Sequence, residues 1–83
     1  MYNAFIAPYQ SVTITPNDTT TFSYHGYIVV STTGVIVARL AGDTADVTIP
    51  VIAGLPYWGS WKQIKSTGHT AGNVIALIYR DAV

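Results

Sequence analysis

Apolar and polar positions alternate along most of this chain with a period of two, and turn residues interrupt the alternation every eight to twelve positions. The longest such run follows the Gly, Thr and Asn cluster of Ser66 to Asn73. Val74 to Arg80 then places Ile75, Leu77 and Tyr79 on one face of a strand and Val74, Ala76, Ile78 and Arg80 on the other. Both faces are largely apolar, and both need a cover. Ser11 to Thr15 alternates cleanly and predicts a first strand, which Pro16, Asn17 and Asp18 end in a turn. Thr19 to Tyr24 predicts a second, more polar strand. His25-Gly26 reads as an interruption before Tyr27 to Ser31, which is apolar on both faces, and Thr32-Thr33-Gly34 reads as a hairpin connection.

Val35 to Leu40 forms the returning strand, with Val35, Val37 and Arg39 opposite Ile36, Ala38 and Leu40. Ala41 to Asp46 is the most polar loop, so Asp43→Ala is expected to change little. Pro50 limits Val47 to Val51 to an edge strand or a strand end, because it lacks a donor for a second neighbour. Gly54, Pro56 and Gly59 break the next stretch, so Leu55 to Trp61 is expected to be bent or bulged. No useful length has helical periodicity. The pattern predicts an all-β domain over 11–83, a small antiparallel β-sandwich of jelly-roll type or a β-barrel, preceded by an N-terminal arm over 1–10. Tyr2, Phe5, Ile6 and Tyr9 on that arm are expected to lie on the domain or on a neighbour.

Composition strengthens the case for neighbours. An 83-residue chain buries only about 60–65% of its unfolded surface, and charged residues are 10% of this one against roughly 25% in a typical globular domain. Formal net charge is zero, which removes the electrostatic basis for non-specific binding to nucleic acid or to an anionic membrane. No apolar run approaches the roughly 20 residues of a membrane-spanning helix, so the chain reads as a soluble protein made in the cytosol. It has no cysteine, hence no disulfide framework and no thiolate metal site. A second apolar strand face, on which Arg39 and Arg80 are the only charges, predicts a symmetric homo-oligomer, with Val37 and Ile78 as interface candidates alongside Phe5 and Ile6.

Candidate chemistry is sparse. The acids Asp18, Asp43, Asp46 and Asp81 fall in turns, loops or the tail, and there is no Glu. His25 and His69 read as surface turn residues, and Ser60 as a loop serine without the second glycine of a nucleophile elbow. No catalytic, metal or cofactor site is expected, and the protein is not read as an enzyme. Tyr57, Trp58 and Trp61 stand out, because two tryptophans within four residues supply a large apolar area with N–H handles. Core packing, a protein interface and a sugar-stacking platform are all open to them. Lys62 and Lys65 suit a rim.

Ile14-Thr15-Pro16-Asn17-Asp18-Thr19, then Gly34, Ile49-Pro50-Val51 with Ala53-Gly54, Ile64, Ser66-Thr67-Gly68, Thr70-Ala71 and Ile75-Ala76-Leu77 together resemble the spike base proteins of gene transfer agents and tailed phages. The likeness covers most of residues 12 to 79; it departs at His69, where the family carries Thr, and in the short arm. The resemblance implies a virion structural protein, a capsid-associated spike or fibre base or head decoration protein. Expected partners are copies of itself in a trimer or pentamer, a major capsid protein or a neck or vertex protein, and a spike or fibre tip protein. The alternative is a carbohydrate-binding module that contacts the host surface through Tyr57, Trp58 and Trp61.

Overall fold

A computed structural model describes residue 8 and residues 10–79 of the chain. Tyr2, Phe5, Ile6, Tyr9, Arg80 and Asp81, on which expectations were placed, lie outside the described residues. The fold is all-β, with six antiparallel strands in one open sheet: β1 (Gln10–Ile14), β2 (Tyr24–Val30), β3 (Gly34–Leu40), β4 (Val47–Val51), β5 (Tyr57–Lys65) and β6 (Val74–Ile78). Their order across the sheet is β1-β6-β2-β5-β3-β4. Alternation placed β1, β3, β4 and β6 within one or two residues, and Pro50 does sit on an edge strand.

The sheet is organised around β5, which serves two neighbours in turn. Its first half pairs with β2, from Tyr24 opposite Trp61 to Ile28 opposite Tyr57. Its second half pairs with β3, from Val37 opposite Lys65 to Leu40 opposite Trp61. Between these halves the register slips at Arg39/Leu40, leaving Lys62 as the extra residue of a β-bulge. Odd-numbered residues face inward before the bulge, and Ile64 faces inward after it. The connection from β2 to β3 shows how far the sheet must curl there. Val30 and Gly34 are four residues apart and can be separated by at most about 14 Å. They pair toward opposite ends of β5, a nine-residue strand that spans about 26 Å when straight. The two halves of the sheet therefore fold over one another.

Three expectations are corrected by this arrangement. Thr32-Thr33-Gly34 is not a hairpin connection, because β2 and β3 do not pair; β5 lies between them, and the short link crosses from one half of the sheet to the other. Thr19 to Tyr24 is not a strand up to Tyr24. It runs beside the bulge, tied by Asn17 N donating to Ile64 O (2.9 Å) and Phe22 N to Lys62 O (2.8 Å), and this spacing does not sustain a ladder. His25 and Gly26 do not interrupt a strand, since both lie within β2.

A single core fills the space between the halves. Ile14, Ile28, Val30, Ile36, Ala38, Val51, Trp61, Ile64, Val74 and Ala76 come from all six strands, and Ala71 joins them from the β5–β6 turn. These are the inward positions of the ladder registers, so one face of each strand supplies the apolar burial that stabilises the fold. Ile78 packs on this core and is half-buried. Its parity with Val74 and Ala76 turns it inward, toward the core.

Asp18 fastens the turn after β5 to the loop before β2. Its carboxylate accepts from Ser66 N (3.0 Å), Thr67 N (3.0 Å) and Thr67 Oγ1 (2.6 Å). Hydrogen bonds from the Thr67 hydroxyl and amide, and then from Ser66, lower its pKa to about 2.

Candidate interaction surface

The outward face of the β6-β2-β5 half is the feature that the fold does not itself use. Direct cross-strand partners project to the same side, so the registers Tyr27–Trp58 and Tyr27–Leu77 place these three residues in one outward row. Val29 and Ile75 form the next row. His25 and Ser60 form the row before it, next to Tyr79, whose N donates to His25 O (2.9 Å). Tyr27 and Trp58 rings meet at 4.6 Å in a tilted arrangement, and Trp58 stacks on Tyr79 at 5.7 Å. Trp58 is 60% exposed and Ile75 41%.

Together with Val29, Gly54, Pro56 and Pro8, these three aromatic residues line a groove of about 400 Å³. Among the described residues the lining contains no Asp, Glu, Lys, Arg or His, and the groove is mostly apolar. That volume falls within the range of small-ligand sites, and its openness along the sheet equally suits a peptide segment.

The three aromatic residues singled out from sequence do not form one platform. Trp58 faces outward, but Tyr57 and Trp61 have the opposite parity and face the core. Trp61 is 4% exposed, and its Nε1 finds no partner among the described residues. Tyr57 is half-buried, its hydroxyl accepting from Ile52 N (2.8 Å). A sugar platform made of Tyr57, Trp58 and Trp61 is therefore not available; the residues that join Trp58 are Tyr27 and Tyr79. Their outward parity was legible strand by strand, but the pairing that brings three strands together was not.

Val37 does face outward, and it is half-buried beside Gly68 of the β5–β6 turn. Its surroundings are polar. Arg39 Nε donates to Asp46 Oδ1 at 2.8 Å, and Lys65 Nζ lies 3.5 Å from Asp46 Oδ2. The Arg39 hydrogen bond is the main cause that holds the Asp46 carboxyl below its ordinary pKa, with Lys65 adding to it. The second face of β3 is thus dressed with charge, whereas β2, β5 and β6 carry a continuous apolar face; Val47, Ile52 and Leu55 are exposed elsewhere, on β4 and the loop after it.

Most of the remaining polar side chains are engaged in local bonds, although the buried His69 Nδ1 has no partner among the described residues. His25 Nδ1 and Ser60 Oγ are 3.0 Å apart on the exposed surface, a pair that sequence reading missed because His25 was placed in a turn. An activated serine needs its base oriented by a third group. The described acids serve elsewhere: Asp18 in the turn clamp, Asp46 in the ion-pair cluster, and Asp43 as acceptor from Leu40 N (2.8 Å). His69 is half-buried rather than a surface residue, its Nε2 donating to Gly72 O (2.6 Å). Lys62 Nζ donates to Asp43 O (3.1 Å) instead of standing at an aromatic rim. Among the described residues, no group of three His, Cys, Asp or Glu side chains is placed to hold a metal ion. No family model, no curated protein and no solved structure matches this chain.

Proposed function

We propose that this chain is a structural protein of a phage or phage-like particle, a homo-oligomeric base on the capsid, neck or vertex that carries a spike or fibre. The observation that carries the reading is the outward face of β2, β5 and β6, where Tyr27, Val29, Trp58, Ile75 and Leu77 leave an apolar surface on a chain with few charges. Surfaces of this kind mark association sites in small proteins. The sequence resemblance to spike base proteins supplies the particle, and the fold supplies a six-stranded antiparallel support. Assembly through the outward face covers what the monomer leaves in water. The test is the composition of purified particles from cells that express the chain. It is expected in fixed stoichiometry with the capsid protein, and particles that form complete heads and spikes without it would overturn the reading.

A second reading, glycan binding at the host surface, has one specific support in the exposed Trp58 ring beside Tyr27 and Tyr79. Under it, host glycans change tryptophan emission of a monomeric chain. An unresponsive chain, or a response that survives Trp58→Ala, sinks it.

A further inference from the structure

We infer that the outer edge of β1 pairs with the β1 edge of a second copy, antiparallel about a two-fold axis at Val12. The contact is made by backbone atoms of a strand outside the β2-β5-β6 face, so it stands apart from assembly through that face. Hydrogen bonds at the two ends of the β2–β6 ladder fix which groups reach the edge. Tyr79 N donates to His25 O (2.9 Å) and Ser31 N donates to Asn73 O (3.0 Å), so the odd-numbered positions along β6 turn their backbone groups toward β2. Its even positions, Val74, Ala76 and Ile78, turn theirs toward Ile14, Val12 and Gln10. Ser11 and Thr13 are left with their N–H and C=O groups on the far side, where β1 has no strand neighbour among the described residues. Both residues are exposed, and no described residue bonds to their backbone on that side.

The opposite edge of the sheet is guarded. Val35 N donates to Thr70 Oγ1 (2.9 Å), and Val35 O accepts from Thr70 N (3.0 Å). Val35 is therefore turned away from β4, and Pro50, its ladder partner, is turned to the outer edge, where it has no N–H to offer. β1 lacks such devices: Gln10–Ile14 holds no proline, no bulge and no charged side chain. This also suits a copy of itself in particular. Two-fold pairing sets Gln10 against Ile14, Ser11 against Thr13 and Val12 against Val12, so all five residues pair and no like charges are opposed. The free groups of Ser11 and Thr13 then bond to their counterparts, and the two half-buried Val12 side chains meet at the axis. Ser11 and Thr13 lie opposite Leu77 and Ile75, so the pairing also joins the outward faces of two copies into one surface.

A single five-residue strand pair falls below the roughly 1,200 Å² of a stable interface, so trapping by a disulfide is the readout, and the chain has no cysteine of its own. In this register two Val12→Cys chains bring their Cα atoms to about 4.5 Å, within disulfide range. Two Ser11→Cys chains stay about 8 Å apart and two Gln10→Cys chains about 14 Å. Under mild oxidation of the folded chain at high concentration, Val12→Cys is expected to form the covalent dimer several-fold faster than either, although Val12 is half-buried and the other two positions are exposed. Adding Thr13→Pro removes a donor from the free edge and none from the β1–β6 ladder, and is expected to bring the rate down to the Gln10→Cys level with an unchanged circular dichroism spectrum. Trapping of Val12→Cys that is no faster than that of Gln10→Cys, or that Thr13→Pro leaves unaltered in a folded chain, would overturn the inference. A wild-type chain that sediments as an oligomer while its Val12→Cys variant fails to trap would sink the edge pairing alone; a monomer whose Val12→Cys variant traps would support it and count against the outward face.

Discussion

Gly26 is where the β2–β6 pairing leaves no room for a side chain. It has φ of 156°, at the limit of the region that side chains rarely adopt, and it lies opposite Ile78 in the ladder. A Cβ there would be driven into the backbone carbonyl oxygen of Leu77, with Ile78 Cα only 3.2 Å away. Both obstacles are backbone, so no rotamer change relieves them. Gly26→Ala must either hold a strained backbone, at about 1–3 kcal/mol, or part the strands. Parting them gives up the Tyr79 N to His25 O bond and an adjoining ladder bond, at about 1 kcal/mol each.

The expected loss is about 1–3 kcal/mol, from a total of roughly 4–12 kcal/mol for a domain of this size. With a urea slope of about 1–2 kcal/mol/M, the midpoint falls by about 1–2 M. Gly42→Ala is the control, because nothing lies within 4 Å of its Cβ position. That variant is expected to be neutral or slightly stabilising. Urea titration followed by tryptophan emission measures both. A Gly26→Ala midpoint that matches that of Gly42→Ala would refute the close approach of β2 and β6.

Further outcomes separate the two faces and the turn clamps. Asp18 has a depressed folded pKa, so its contribution is present above the unfolded value near 3.8 and is lost as pH falls toward 2. Thermal melts of Asp18→Asn are expected to lie below wild type at pH 6 and to converge with it at pH 2; parallel curves would remove Asp18 from the clamp. Ile78→Asp places a charge against the core and is expected to unfold the domain at room temperature by circular dichroism. Val37→Asp, outward beside Arg39 and Lys65, is expected to stay folded with a loss below about 1.5 kcal/mol. Asp43→Ala, which an exposed-loop reading makes neutral, removes the acceptor of Leu40 N and is expected to cost about 1 kcal/mol in a denaturant titration.

Strand identity was legible in the residues where one face alone is buried, as in Val12 and Ile14 or Val47 to Val51. There alternation and β-branching carry the signal without knowledge of the partner. The start of β2 was not, because a glycine in a strand reads as a break unless the neighbouring backbone that requires it is known. Thr19 to Tyr24 misled for the converse reason: it has strand composition, but the bulge at Lys62 denies it a regular partner. The outward surface was legible in part. Two-sided strands were visible in Tyr27 to Val30 and Val74 to Ile78, whereas the meeting of Tyr27, Trp58 and Tyr79 depends on registers between strands up to about 50 residues apart in sequence. Tyr57 and Trp61 were grouped with Trp58 by proximity in sequence, and strand parity separates them.

Sedimentation of the isolated 83-residue chain at micromolar concentration tests most directly whether the outward face of β2, β5 and β6 is an assembly surface. Wild type is expected to sediment as a closed homo-oligomer, and Ile75→Asp, on the same face and 41% exposed, as a folded monomer with an unchanged circular dichroism spectrum. A wild-type chain that sediments as a stable monomer, or an Ile75→Asp variant that keeps the wild-type size, would contradict the account.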